Sequence, residues 1–163
     1  MKKRTTIWTV LILLAMASFS FSRPLLASPT EEAAVKNAVE QFYAALNAMF
    51  TGNLDPMKAV WSHADDVTYL GPTGGFYVGW NQVLPVWQAQ TAMKLGGKVT
   101  PADMHITIGH DLAITENYER GENTNAAGKT QTVSIRATNI FRKEGSQWKM
   151  IGHHTDLLSY LQK

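Results

Sequence analysis

Residues 135–158 read IRATNIFRKEGSQWKMIGHHTDLL. Apolar and polar residues alternate on both sides of KEGSQ (143–147), a short glycine-containing turn. Period-two alternation around such a turn predicts an antiparallel hairpin with one face buried. The same pattern runs back along the chain. Val99–Ile108, Leu112–Gly121, Thr130–Lys143 and Trp148–Leu158 all read as long β-branched strands, and NAAGK (125–129) is a second hairpin turn. Four strands in sequence predict a meander.

The first half reads differently. Ser28-Pro29-Thr30-Glu31 has the form of a capping box, with Ser28 as N-cap, or Thr30 in its place. Val35, Ala38, Val39, Phe42, Tyr43, Leu46, Met49 and Phe50 then recur at steps of three and four. This predicts one helix of about five turns with a broad apolar face, stopped by Thr51-Gly52-Asn53. Asp55-Pro56 predicts the start of a short second helix reaching about His63. Val67–Leu70 and Phe76–Val78 flank GPTGG (71–75) as a short hairpin, and Asn81 caps a third helix ended by Gly96-Gly97. Helices first and strands last predict an α+β domain, its antiparallel sheet curled over the helices.

Residues 1–27 stand apart. Lys2, Lys3 and Arg4 precede an apolar run from Ile7 to Ala17, and a small-residue exit ends at Ala27. These are the parts of a secretory signal peptide, and the run is shorter than the ~20 residues of a membrane span. The expectation is an exported protein, periplasmic or secreted, with one domain over 28–163 and no membrane contact after cleavage. Leu25 fits the small-residue rule poorly, which leaves an uncleaved anchor as the alternative. Four of the 15 basic residues and none of the 13 acidic ones lie in this leader. The remaining domain is mildly acidic and offers no phosphate-binding surface, so nucleic acid is not an expected partner. The chain has no cysteine, so there are no disulfides, and the core alone carries stability.

The order of elements, with FYAALNAMFTGNLDPMKAVW (42–61), HADDVTYLGPTGGFYVGW (63–80) and the final hairpin, resembles the nuclear transport factor 2-like superfamily. The SnoaL-like branch is the most similar, with the kinase II association domain and ketosteroid isomerase-like proteins as relatives. The resemblance spans about residues 30–160. It implies a cone: a bent sheet wrapped around the long first helix, two further helices, a pocket at the open end, and a homodimer formed through the outer sheet face. It leaves chemistry open, because one fold hosts many functions. The isomerase branch carries a catalytic Asp-Pro where this chain has Gly71-Pro72, and its acidic oxyanion donor falls near Thr138 or Asn139. An isomerase of that type is therefore not expected. The association domain's pocket arginines fall at Glu119 and Asn139.

His153 is the expected catalytic residue, because an imidazole titrates near neutrality. Neighbours in a strand face opposite ways, so His153 and His154 cannot chelate one metal from one face. Alignment with the isomerase branch puts His153 inward with Ile151 and Thr155, and His154 outward with Trp148 and Met150. A slip of one residue reverses this. The simpler reading of either histidine is structural. Tyr118, Glu119 and Asn139 are expected to orient a ligand, against the plainer reading of a cross-strand pair between Glu119 or Glu116 and Arg136. Trp61, Tyr69, Trp80 and Trp87 are candidate walls for a small apolar molecule, or simply core. His63-x-Asp65 with His153 lacks a compact ligand spacing, and no serine has a convincing partner, so neither metal, cofactor nor nucleophile is expected. Two functions follow: an exported small-molecule-binding protein or acid–base enzyme (isomerase, cyclase or hydratase type) with a cone-shaped pocket for an apolar molecule, or a noncatalytic dimeric binding or interaction module.

Overall fold

A computed structural model of the chain describes residues 29–72, 74–125 and 127–156. The leader over 1–27, the Ser28 cap and the end of the last expected strand at Leu157 and Leu158 lie outside the described residues.

Helix α1 (Pro29–Phe50) is the long amphipathic helix, and its stripe from Val35 to Phe50 is buried. Burial of each large side chain on that stripe stabilises the fold by about 1.5–3 kcal/mol. Gly52, at a positive φ, turns the chain out of the helix. Helix α2 (Asp55–Val60) is shorter than expected and is preceded by Leu54, with Asp55 already helical. Strands β1 (Thr68–Gly71) and β2 (Gly74–Val78) form the early hairpin. Helix α3 (Trp80–Met93) starts one residue before Asn81, after Gly79, and ends in a left-handed Lys94. It buries Val83 and Trp87, whereas Met93 in its last turn is mostly exposed. Gly97 then carries the chain past β4 so closely that a Cβ there would lie 1.9 Å from the Glu122 carbonyl oxygen.

The meander follows as β3 (Lys98–Ile108), β4 (Leu112–Thr124), β5 (Thr130–Glu144) and β6 (Gln147–Asp156). The sheet order is β2-β1-β6-β5-β4-β3. Every neighbouring pair is antiparallel except β1 and β6. The expected α+β class and the curved sheet around α1 are both present.

Two clamps fasten helix to sheet. Asn47 of α1 accepts from the Val99 backbone N–H and donates to the Val99 carbonyl, each at 2.8 Å. Glu31 accepts from Lys143 Nζ at 2.5 Å and from the Trp148 indole at 3.2 Å. Its lowered pKa follows first from the Lys143 contact.

One irregularity decides the site. Phe141 pairs with Met150 but Ile140 pairs with Gly152, so Ile151 is an extra residue in β6. Such a bulge inverts the phase of side chains beyond it. Trp148 and Met150 are buried before it, His153 and Thr155 after it, and His154 is exposed. This corrects the expected grouping: Trp148 and Met150 share the inner face with His153, and Ile151 does not alternate with it.

Candidate functional site

Inward positions on the meander are mostly apolar near the turn at Gly145 and polar in the middle. On β4 the inward residues after Ala113 are Thr115, Asn117 and Glu119. Register aligns Thr115 with Asn139, Asn139 with His153, and His153 with Tyr69. One cross-strand row therefore carries Thr115, Asn139, His153 and Tyr69 over four strands.

Tyr69 and His153 of this row, with Glu119, line a cavity of about 390 Å³ between the sheet, α1 and α3. Leu46, Phe50, Leu95 and Val99 give it aliphatic and aromatic walls, and Asn123, Gln131 and Thr132 line its uncharged outer part. Glu119 is the one charged-type side chain among the lining residues besides His153.

The His153 ring is enclosed by aromatics. Tyr69 lies parallel to it at 5.8 Å between centroids, Phe42 is at 5.0 Å and Trp87 at 6.1 Å. Nδ1 of His153 is 2.6 Å from Asn139 Oδ1. The Asn139 amide donates to Thr115 Oγ1 at 3.1 Å and to Asn117 Oδ1 at 3.3 Å. The Asn117 amide donates to the Tyr43 hydroxyl at 2.8 Å and to the Tyr118 carbonyl at 2.9 Å. On the other side of the ring, His153 Nε2 faces Glu119 Oε1 at 3.8 Å.

Burial governs the charges here, because it disfavours the ionised form of either group. It pushes the Glu119 carboxyl up to about 7, against a smaller opposing effect of the Tyr43 hydroxyl. Burial, with a smaller push from His154, lowers His153 to about 3. The imidazole is therefore neutral at neutral pH, and the contact is not an ordinary ion pair. Tyr69 is raised to about 12, again chiefly by burial, and its hydroxyl accepts from Gln90 at 2.7 Å. Glu119 Oε1 has no hydrogen-bond partner among the described residues, nor does the Trp87 indole nitrogen. A buried orphan acceptor is uncommon and costly, and a catalytic role is one of the few reasons a fold keeps one.

Four of the expected site residues meet at this cavity: Tyr69, Trp87, Glu119 and His153. Asn139 is fully buried behind the imidazole and touches the histidine in place of the cavity. Trp61 packs in the core against Trp80 and Trp87, and Trp80 stacks on His63 at 4.4 Å, so neither forms a wall. Tyr118 is corrected outright. It alternates with Glu119, is 41% exposed on the outer face, and carries Arg120 over its ring at 4.8 Å. The expected pairing of Glu119 or Glu116 with Arg136 is also absent, since Arg136 reaches Asp156 at 3.8 Å. Tyr43, Thr115 and Asn117 were missed as site residues. The signal for two of them was visible: Thr115-x-Asn117-x-Glu119 puts three polar residues on one inward face.

His63 Nε2 lies 2.9 Å from the Lys58 carbonyl. Among the described residues, no group of three His, Asp or Glu side chains is arranged to hold a metal ion.

Comparison with solved structures agrees with this architecture. A protein from Streptomyces avermitilis named as a dehydratase of the NTF2-like family superposes with a TM-score of 0.70 at 22% identity, over 79% of this chain and 97% of that one. An association domain of the calcium/calmodulin-dependent protein kinase type II kind from Thiobacillus denitrificans gives 0.62 at 28% identity, over 76% and 94%. A protein from Shewanella frigidimarina named as a ketosteroid isomerase gives 0.62 at 23% identity, over 76% and 94%. No curated protein sequence matches the chain. Residues 35–158 match the sequence profile described as the SnoaL-like domain, and the chain belongs to that family within the NTF2-like fold.

Proposed function

We propose that the chain is an acid–base enzyme that takes a small, uncharged, largely apolar molecule into the cone and moves a proton on it. The observation that carries this reading is the orphaned carboxyl oxygen of Glu119, buried at the inner end of the cavity beside His153 Nε2. A carboxyl near 7 is half protonated at neutral pH, so it both gives and takes a proton at the working pH. Burial alone raises it, since among the described residues no lysine or arginine lines the cavity to hold it ionised. The same lack of cations disfavours an anionic substrate. The dehydratase and isomerase names of the structural relatives are compatible with proton transfer.

The leader of residues 1–27 supports export to the periplasm or beyond. The exposed Leu112, Ile114 and Tyr118 on the outer sheet face support a homodimer formed there. The same face supports the second reading, a noncatalytic dimeric module.

The test is hydrogen–deuterium exchange into a panel of uncharged ring ketones in D2O, which reads proton abstraction without knowledge of the product. Wild type should accelerate exchange into at least one member, and Glu119→Gln, which keeps the side-chain volume, should lose that acceleration by about 10²-fold or more. Exchange equal in Glu119→Gln and wild type, or no exchange and no binding across the panel, sinks the enzymatic reading.

A further inference from the structure

We infer that Asn139 is a positioning residue that fixes the imidazole of His153 as its Nδ1–H tautomer, leaving the Nε2 lone pair aimed at Glu119. The deduction starts from an atom with no choice. The Tyr118 carbonyl only accepts, so the Asn117 side chain must point its amide nitrogen there, at 2.9 Å. That leaves Asn117 Oδ1 facing Asn139, which must therefore present its own nitrogen, at 3.3 Å. Asn139 Nδ2 spends its second hydrogen on Thr115 Oγ1. Its oxygen then faces His153 Nδ1 at 2.6 Å, and only a proton on Nδ1 makes that contact a bond. Flipping Asn139 would set two oxygens against each other, and flipping Asn117 would do the same at the Tyr118 carbonyl.

A neutral imidazole with its proton on Nδ1 has a bare lone pair on Nε2. Glu119 Oε1, 3.8 Å away, has no other partner among the described residues. At 3.8 Å the two are beyond hydrogen-bond reach of each other. A proton on Oε1 can point at the Nε2 lone pair without disturbing any bond to Asn139. Among the described residues the elements around the ring offer no rival charge: Phe42 from α1, Trp87 from α3 and Tyr69 from β1 are the ring neighbours, Asn139 lies on β5, and Glu119 on β4 is acted on by the neutral Tyr43 hydroxyl of α1. On its own strand the one titratable neighbour acting on it is His154. The inference deepens the acid–base reading and rests on it only for the consequence in catalysis.

The experiment is two-bond proton–nitrogen NMR of the full chain labelled with 15N-histidine, the His153 ring being identified by its loss in His153→Gln. At neutral pH, Nδ1 should show the protonated shift and Nε2 the lone-pair shift, the tautomer preferred at least about fivefold, the worth of one buried hydrogen bond. Asn139→Leu should bring the two tautomers to comparable populations. Asn139→Asp keeps the acceptor oxygen, should retain Nδ1–H, and should move ring protonation to higher pH. A proton on Nε2 in wild type overturns the inference, as does an unchanged tautomer in Asn139→Leu. If Asn139→Leu does not fold, the wild-type spectrum and Asn139→Asp decide. The spectrum needs no turnover, so a correct tautomer in a protein inactive on every ketone would sink the proposed function alone.

Discussion

Glu119 on β4 and Glu144 at the end of β5 are the same side chain in opposite circumstances. Glu144 accepts from Ser62 at 2.7 Å and from Arg142 at 3.0 Å, and Arg142 also holds Asp66 at 2.6 Å. Burial raises Glu144 somewhat, but Ser62 and Arg142 together bring it below the usual carboxylate range. Asp66 is lowered first by its bond to Arg142. Glu119 has an imidazole in place of a guanidinium, and that imidazole is too buried to charge. Its carboxyl moves the other way, to about 7. A carboxyl paired with a permanent cation near solvent braces a corner of the fold. One paired with a neutral base in an apolar cavity stays reactive, at a cost in stability.

That contrast can be broken in several ways. The largest effect should come from acid. His153 has a folded pKa lowered from 6.5 to about 3, so the unfolded chain binds its proton first. Its contribution is intact above about pH 6.5 and is lost as pH falls through 3, amounting to several kcal/mol. Urea unfolding of wild type and His153→Gln from pH 7 to 3.5 should therefore converge on the acid side. Parallel curves would mean that the ring is not held neutral.

Glu119 works in the opposite direction. Its folded pKa is raised from 4.5 to about 7, so stability is fully present below 4.5 and falls as pH rises through 7, by about 3 kcal/mol. Glu119→Gln should lack this loss and gain on wild type between pH 5 and 8. No gain in that window would show that Glu119 ionises freely, and the contrast with Glu144 would disappear.

The helix clamp should fall between the extremes. Asn47→Ala leaves the backbone groups of Val99 without their side-chain partners, and should cost about 1–3 kcal/mol at any pH. A change under a few tenths, measured by the same unfolding, would return the helix-to-sheet docking to apolar contact alone.

The smallest effect belongs to the exposed cluster. Asp66→Asn should cost at most about 1 kcal/mol, and high salt should remove most of it, because a pair so open to water is screened. A larger, salt-independent loss would make Asp66 more than a brace.

Most of the fold was legible because periodicity survives in the chain. The α1 stripe, the meander and both hairpin turns were all readable from spacing. The site was legible in part. Glu119, His153, Tyr69 and Trp87 were named, but for separate reasons, and nothing in spacing joined residues of β1, α3, β4 and β6. Tyr118 was misplaced because a ligand role was assigned to adjacent residues that must point opposite ways. The grouping around His153 failed for a subtler reason. A bulge adds one residue without any obligatory residue type, and Ile151 looks like every other apolar strand position.

By itself the sequence determined which segments become helix and strand, and the inward polar run Thr115-x-Asn117-x-Glu119, because local periodicity follows from backbone geometry. It also determined that no disulfide contributes. Only the tertiary structure decided that Glu119 faces His153, that Asn139 serves the imidazole and not the cavity, and which carboxyls ionise easily. Register, the bulge at Ile151 and burial set those outcomes. Each depends on what the rest of the chain packs against a residue, and that is not written in the residue's own neighbours.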